Sequence, residues 1–148
     1  MTTEKTGGAN LRYTRRRAAV AALFVCALLG AYILYVVDPN RQALLPCLLF
    51  KFTGLYCPGC GNTRALHALL HGDILTAISM NAFTVLIALP LGVVLALSYL
   101  PIYLGFKPII PRVPLGARAA LVFTVAMLLF GVLRNIPLFA FLAPGRWR

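Results

Sequence analysis

The chain has 148 residues, of which 61% are hydrophobic and only 11% are charged, and its mean hydropathy is +0.87. Soluble domains contain about 45–50% apolar and about 25% charged residues, so this composition excludes an ordinary soluble domain and indicates an integral membrane protein. The net charge of +11 comes from fourteen Lys and Arg against three acidic residues. Because the basic residues flank apolar runs, they favour anionic lipid headgroups over nucleic acid as the counter-charge.

Three apolar runs approach the length of about 20 residues that a helix needs to cross the hydrocarbon core. The sequence therefore predicts an all-α fold with three transmembrane helices, at about 18–37, 77–104 and 118–137. The first run follows three arginines, but it is too long for a signal peptide and no small-residue cleavage site follows it, so we interpret it as a retained anchor. Residues 1–17 are polar and basic and predict a disordered tail ahead of a single membrane domain, 18–148.

Residues 41–73 form the one long connection between predicted spans. Their first part is too apolar for a solvated loop and too short to cross, which predicts an interfacial or re-entrant segment. Residues 61–71 predict a short interfacial helix that ends at Gly72, and Asp73 is placed as the N-cap of the second span. We expect Pro90 to kink that span and the proline-rich residues 107–114 to form a turn before the third.

The distribution of Lys and Arg predicts the orientation in the membrane. Eight of these residues lie on the side of the N-terminus and six on the other, and the arginines at 15–17 directly precede the first span. The prediction is a multi-pass protein of the bacterial cytoplasmic membrane, with the N-terminus in the cytoplasm and the Cys-containing connection and the C-terminus outside. With three spans, this connection, the start of the second span and the end of the third share one membrane face.

The predicted shared face collects a set of polar residues, which are Arg64, Asp73, Asn81, Arg134 and Asn135. Ionisable groups at membrane depth are costly, so such a set is a functional-site hypothesis. Asp73 is the only acid among them and cannot neutralise both arginines, and the excess guanidinium would suit a lipid phosphate or a carboxylate. The alternative is that Arg134 extends to the headgroups while the asparagines bond neighbouring helices.

Cys57 and Cys60 form a Cys-Pro-Gly-Cys motif, whose spacing suits a disulfide, a redox dithiol or a metal site. A helix that began at Pro58 would lower the thiol pKa through its N-terminus and through Arg64. The glycines of the motif instead favour a tight knuckle around a metal. Both conformations stay open at the level of the sequence.

Zinc is the one cofactor that the sequence suggests, and its candidate ligands are Cys47, Cys57, Cys60, His67 and His71. The two histidines are four residues apart, which places them on one face of a helix. His67, however, lies about 10 Å along that helix from Cys60 at 1.5 Å per residue, which is too far for one ion unless the chain folds back. Cys26, in the middle of the first span, is expected to be an inert core residue.

Several of these residues together resemble an uncharacterised family of small bacterial membrane proteins, a domain of unknown function marked by Cys-Pro-x-Cys-Gly-x-Thr-Arg. The matching stretches are CPGCGNTRA at 57–65, LHGD at 70–73, Asn81 and the Arg-Asn pair at 134–135, within roughly residues 44–137. One departure is that Cys47 follows a proline, where the family's upstream cysteine is expected to precede one. The resemblance implies no activity, but it implies that the motif, Asp73, Asn81 and the Arg-Asn pair act as one unit.

Four hypotheses about function follow. The leading one is a non-enzymatic accessory or interaction protein, since the chain has no Walker, Rossmann or zincin motif. The alternative is a membrane thiol-disulfide oxidoreductase with Cys57 as attacking and Cys60 as resolving thiol. The others are a lipid or anion binder or transporter that uses Arg64 and Arg134, which would require an oligomer, and a metal-binding protein. Expected partners are the lipid bilayer with its anionic headgroups and a membrane protein or a second copy, and not nucleic acid.

Overall fold

The computed structural model describes residues 4–39, 47–114 and 116–144, and every regular element within these ranges is helical, which confirms the predicted all-α class. The α-helices are α1 Glu4–Val36, α2 Leu48–Thr53, α3 Asn62–Leu70, α4 Ile74–Phe83, α5 Leu89–Tyr103 and α6 Ala117–Leu133. A π-helical turn, Thr84–Ala88, joins α4 to α5, and a 3-10 turn, Pro137–Leu142, follows α6. The start of the predicted connection, 41–46, lies outside the described residues.

Two helical stretches are long and apolar enough to cross a membrane, Tyr13–Val36 and Ile74–Tyr103. They coincide with the first two predicted spans, and no residue in the most apolar part of Tyr13–Val36 is buried in the protein, which is expected of a helix that faces lipid. The apolar helix α6 has 17 residues and is about 26 Å long at 1.5 Å per residue. Because this is shorter than the hydrocarbon core of about 30 Å, the third span stays a prediction.

The start of α1 differs from the prediction for residues 1–17. The helix begins at Glu4 and continues without a break into the apolar run, whereas the sequence predicts a disordered tail. Extending an existing helix adds one hydrogen bond per residue without a new nucleus, and the Lys, Arg, Leu and Ala residues in this segment are good helix formers. The helix ends at Val36, just before the Asp38-Pro39 step, since the residue before a proline disfavours helical backbone.

The chain divides into two compact units, and the single membrane domain at 18–148 stays a prediction. The first unit consists of Met1–Tyr32 with Val93–Val113, and the second of Ile33–Gly92 with Pro114–Arg148. In the second unit the small side chains of Ala65, Ala68 and Ala77 are buried and let α3 approach α4. Phe83 of α4 packs against two phenylalanines of α6, with ring centroids 5.5 Å apart in each pair.

The connection between α3 and α4 has the predicted form. Gly72 follows α3 with a φ of +77°, a left-handed conformation that favours glycine. The Oδ1 atom of Asp73 accepts a hydrogen bond of 3.0 Å from the backbone amide of Thr76. Asp73 is therefore the N-cap of α4, as the sequence predicts.

The second apolar stretch is irregular well before Pro90. Asn81 has extended backbone angles (φ −157°, ψ 91°) inside α4, and the π-helical turn follows, with the amide of Leu89 bonded to the carbonyl of Thr84. The predicted kink at Pro90 is thus preceded by a departure from helical geometry at Asn81. This departure makes the nearby carbonyl of Met80 available to a side chain from another helix, which the next section describes.

Candidate thiol site

Three cysteines converge in the second unit, and we call them the thiol cluster: Cys47, Cys57 and Cys60. The Sγ of Cys57 lies 3.2 Å from the Sγ of Cys47 and 3.2 Å from the Sγ of Cys60. All three sulfur atoms lie within 4.8 Å of one another. The cysteines are free thiols, and Cys60 is buried while the other two are half-buried. Cys26 is exposed on α1 rather than part of a protein core, and it belongs to the first unit.

The turn at residues 57–61 places two of these thiols. The amide of Cys60 donates to the carbonyl of Cys57 at 3.0 Å, and the amide of Cys57 donates to the Sγ of Cys60 at 3.3 Å. Gly61 has a φ of +86°, and a Cβ atom there would lie 2.5 Å from the carbonyl oxygen of Met80. Since α3 begins only at Asn62, the motif forms a knuckle and not the start of a helix at Pro58.

The side chain of Arg134 stabilises this turn by donating hydrogen bonds to its carbonyls. Its side chain is 2% exposed, and its Nη1 donates to the carbonyls of Cys57 and Cys60, each at 3.1 Å. Longer bonds of 3.4 Å join Nη1 to the carbonyl of Pro58 and Nη2 to that of Met80. Among the described residues its Nε has no hydrogen-bond partner. A buried cation is therefore held against main-chain carbonyls of the turn that carries Cys57 and Cys60.

Asn81 supports the same turn from α4. It is 1% exposed, and its Nδ2 donates to the carbonyls of Pro58 at 2.9 Å and Cys60 at 3.2 Å, and to Oδ1 of Asn62 at 2.6 Å. Its Oδ1 accepts from the amide of Thr84 at 3.1 Å, and the Thr84 hydroxyl donates to Oδ1 of Asn62 at 2.6 Å. The break of helical backbone at Asn81 is thus compensated by bonds that tie the start of the π-helical turn to the knuckle.

Asn135 fixes the chain just before the knuckle. Its Oδ1 accepts from the amide of Tyr56 and its Nδ2 donates to the carbonyl of the same residue, both at 2.8 Å. One side chain thereby satisfies both the amide and the carbonyl of Tyr56, as a neighbouring strand would. On the same helix, a Cβ atom at Gly131 would lie 2.7 Å from Cγ of Pro58, so only glycine lets the knuckle approach α6 this closely.

The thiols of the cluster differ in acidity. The backbone amide of Phe50, with the thiols of Cys60 and Cys57, lowers the pKa of Cys47 to about 7. Burial raises the pKa of Cys60 to about 12, and the two neighbouring thiols add to this shift. Cys47 therefore ionises far more readily than Cys60. The cluster thus combines a half-buried thiol with a lowered pKa, that of Cys47, and a buried thiol with a raised pKa, that of Cys60.

The other predicted site residues lie elsewhere. Arg64 is exposed on α3, and Asp73 caps α4. His67 donates through Nδ1 to the carbonyl of Leu34 at 2.6 Å, and the ring of His71 stacks on Tyr35 with centroids 4.4 Å apart. Among the described residues, the group close enough to share a metal ion contains the three cysteines and neither histidine. Of the polar set, the structure brings Asn81, Arg134 and Asn135 to the cysteines.

Some residues of the site were not singled out from the sequence. Asn62 and Thr84 complete the bonds of Asn81, and Gly131 admits Pro58. Asn62 lies inside the motif, and Gly131 is a glycine within an apolar helix, a placement that often marks a close approach. Thr84 carries no such signal, since a threonine in a transmembrane helix is common.

The spacing of the sulfur atoms suits one bound ion. Zinc binds thiolate sulfur at about 2.3 Å, so two sulfurs on one tetrahedral ion are about 3.8 Å apart. Two of the observed separations are 3.2 Å, slightly shorter than this value, and all three lie within 4.8 Å. A disulfide would instead need one pair to close to about 2.05 Å. The residues present therefore fit a thiophilic metal through small shifts of side chains on a fixed backbone.

Comparison with known proteins gives a family match over part of the chain and no activity. Residues 47–96 match the model of a protein family of unknown function, DUF2752. This range includes the thiol cluster and Asn81, and over it the expected resemblance to an uncharacterised family is confirmed. The match ends before Arg134 and Asn135, short of the range 44–137 suggested by the motif. No curated protein and no solved structure matches the chain.

Proposed function

We propose that this chain is a membrane protein that binds one divalent, thiophilic metal ion of the zinc class through Cys47, Cys57 and Cys60. In this proposal the ion is structural, and the protein is an accessory or interaction subunit rather than an enzyme. The observation that carries the proposal is the convergence of three free thiols on a knuckle whose carbonyls are bound by the buried Arg134. Three protein ligands leave the fourth position of a tetrahedral ion to water in the isolated chain, and a ligand from a partner would complete the closed geometry of a structural site.

The buried charge of Arg134 supports a metal-thiolate centre. A guanidinium that is removed from water needs a counter-charge nearby, since an unpaired buried ion costs several kcal/mol. All its hydrogen bonds among the described residues go to neutral main-chain carbonyls. Three thiolates and a divalent cation carry a net charge of −1, which one guanidinium neutralises. A disulfide between two of the thiols would leave less negative charge to balance Arg134.

The test is the metal content of the purified full-length chain in detergent. We expect about one zinc per chain, close to none in Cys57→Ser, and the wild-type content in Cys26→Ser, a matched control because Cys26 lies outside the cluster. To test uptake without unfolding the protein, a chelator removes the bound metal from the folded chain and zinc is then added back. A wild-type protein that neither holds zinc after purification nor takes it up when offered excludes the proposed centre.

The second candidate is a thiol-disulfide oxidoreductase, and the 3.2 Å contact between Cys57 and Cys60 favours it. The Cys57 thiolate would attack a partner's disulfide and release one partner sulfur as a thiolate. The Cys60 thiol would then lose its proton and attack the Cys57 sulfur, which closes a Cys57–Cys60 disulfide and releases the partner's second sulfur as a thiolate that takes up the proton. This chain thereby loses the two electrons that the partner gains. Titration with glutathione buffers, read out by maleimide labelling, distinguishes the two. A reversible midpoint of the Cys57–Cys60 pair near the glutathione potential supports thiol-disulfide exchange. Thiols that stay reduced, and that bound zinc protects from maleimide, support the metal site.

The sidedness of the site also belongs to this proposal. We infer from the basic residues before the first span that the N-terminus is cytoplasmic and that the thiol cluster faces outside the cytoplasmic membrane. An oxidising exterior would favour disulfides over free thiols, so a metal there would also protect the cysteines. A reporter active only outside the cell, fused at the C-terminus, is expected to be active. An inactive reporter, with an active cytoplasmic one at the same point, contradicts this orientation or the third span.

A further inference from the structure

A second cluster lies in the first unit, independent of the thiols, where arginines meet aromatic rings. The Cζ of Arg17 lies 4.2 Å from the ring centroid of Tyr13 and 5.7 Å from that of Phe106. The Cζ of Arg16 lies 5.2 Å from the ring centroid of Tyr103. We call these five residues the arginine-aromatic cluster. It joins the start of the apolar part of α1 to the end of α5.

The end of α5 is built to hold this cluster in place. The amide of Phe106 bonds to the carbonyl of Pro101 at 2.8 Å and that of Gly105 to the carbonyl of Ile102 at 3.0 Å, which is a Schellman motif. Gly105 has a φ of +83°, and a Cβ atom there would lie 3.3 Å from the ring of Tyr13. The last carbonyls of α5 are thus satisfied by main-chain amides, and the arginines are not needed to cap them.

The guanidinium groups have unused hydrogen-bonding capacity. Arg16 and Arg17 are exposed, and their guanidinium groups lie against aromatic rings of the described residues. An arginine over a ring engages the face of its plane and keeps its N–H donors at the edge. Lys107 is exposed beside Phe106, and residues 13–32 and 93–113 contain no Asp or Glu. The cluster therefore offers several donors and a net positive charge with no internal anion.

We propose that the arginine-aromatic cluster binds the phosphate of an anionic phospholipid headgroup. The rings lie at the end of two helices that are apolar enough to cross a membrane, the level at which Tyr and other amphipathic rings meet the headgroups. Basic residues at this level attract anionic lipid, and the edge of an arginine matches the oxygens of a phosphate. Exposed apolar side chains on the following turns of α1, such as Leu23 and Phe24, are available to the acyl chains.

The test measures lipid binding to the purified full-length chain by native mass spectrometry during titration with phosphatidylglycerol or phosphatidylcholine. We expect preference for phosphatidylglycerol, and at least about a tenfold weaker binding of it in Arg16→Gln/Arg17→Gln. The matched control is Arg64→Gln/Arg118→Gln, which removes the same charge at two exposed positions outside the cluster. Equal loss in both double variants, or in neither, overturns the site.

Two further measurements separate a built site from general attraction. Arg16→Lys/Arg17→Lys keeps the charge but loses the planar fork, and it is expected to weaken phosphatidylglycerol binding several-fold while remaining folded. Unchanged binding in this variant contradicts the proposal. Inorganic phosphate is expected not to compete, because the lipid is also held by its acyl chains. Full competition would assign the cluster to a free anion and refute the lipid.

Discussion

The substitution Arg134→Met tests most directly how much the buried guanidinium stabilises the knuckle at residues 57–61. The substitution removes all four hydrogen bonds of the guanidinium, of which the two shorter ones, at 3.1 Å, go to the carbonyls of Cys57 and Cys60. Both carbonyls keep another donor, the amide of Cys60 at 3.0 Å and the Nδ2 of Asn81 at 3.2 Å, so neither is left unpaired. Methionine fills much of the vacated volume and adapts to irregular space, which keeps the cavity contribution small.

The magnitude follows from these contacts. Hydrogen bonds to a charged group contribute about 1.5 kcal/mol or more each, and relief of the desolvated guanidinium acts in the opposite direction. We therefore expect Arg134→Met to lower the free energy of unfolding by about 2–3 kcal/mol. The matched control, Arg64→Met on exposed α3, is expected to change it by less than about 0.5 kcal/mol.

The assay is unfolding in mixed detergent micelles, followed by circular dichroism, with zinc content measured on the same samples. If Arg134 provides the counter-charge of a metal centre, Arg134→Met also binds zinc more weakly than the control. A change below about 0.5 kcal/mol together with unaltered zinc affinity would refute the reasoning about the buried cation.

The remaining predictions concern two glycines, the side-chain amide of Asn81 and the thiol of Cys47. Gly131→Ala places a methyl 2.7 Å from Pro58 and should destabilise by about 1–3 kcal/mol, whereas Gly92→Ala, with open space around it, should be neutral or stabilising; equal effects would contradict the close approach. Asn81→Ala should cost about 2–3 kcal/mol in the same unfolding assay and expose the knuckle to hydrogen exchange. In metal-free protein, alkylation of Cys47 should be half-maximal near pH 7 and slow as the pH falls below it, because a lowered pKa keeps the thiolate only above that value; a midpoint near that of an ordinary thiol contradicts this.

Much of the fold could be predicted because it follows from local chemistry. Apolar length gives α1 and the second stretch, and a glycine followed by an aspartate gives the cap of α4 at Asp73. The segment 4–17 was predicted as a tail because its composition is polar, yet helix propagation from the apolar run determines its conformation. The polar composition of this segment shows that it cannot form a packed core, but it does not show whether the helix that follows extends into it.

Some residues of the site could be predicted from the sequence, but their pairings could not. The pattern predicts that Asn81, Arg134 and Asn135 act with the cysteines, and the structure joins them through main-chain carbonyls of the knuckle. No spacing rule gives such contacts, because they depend on turn conformation and on a break of helical backbone at Asn81. The grouping of Arg64 with this set rested on the predicted shared membrane face and on the family motif, whereas its side chain is exposed on α3.

The account depends on whether Cys47, Cys57 and Cys60 hold one ion together. X-ray absorption at the zinc edge of the purified full-length chain measures this directly. We predict three sulfur scatterers at about 2.3 Å and one lighter ligand, with one sulfur fewer in Cys47→Ser. A spectrum with only nitrogen and oxygen ligands, or with four sulfurs unchanged in Cys47→Ser, would contradict the proposed centre.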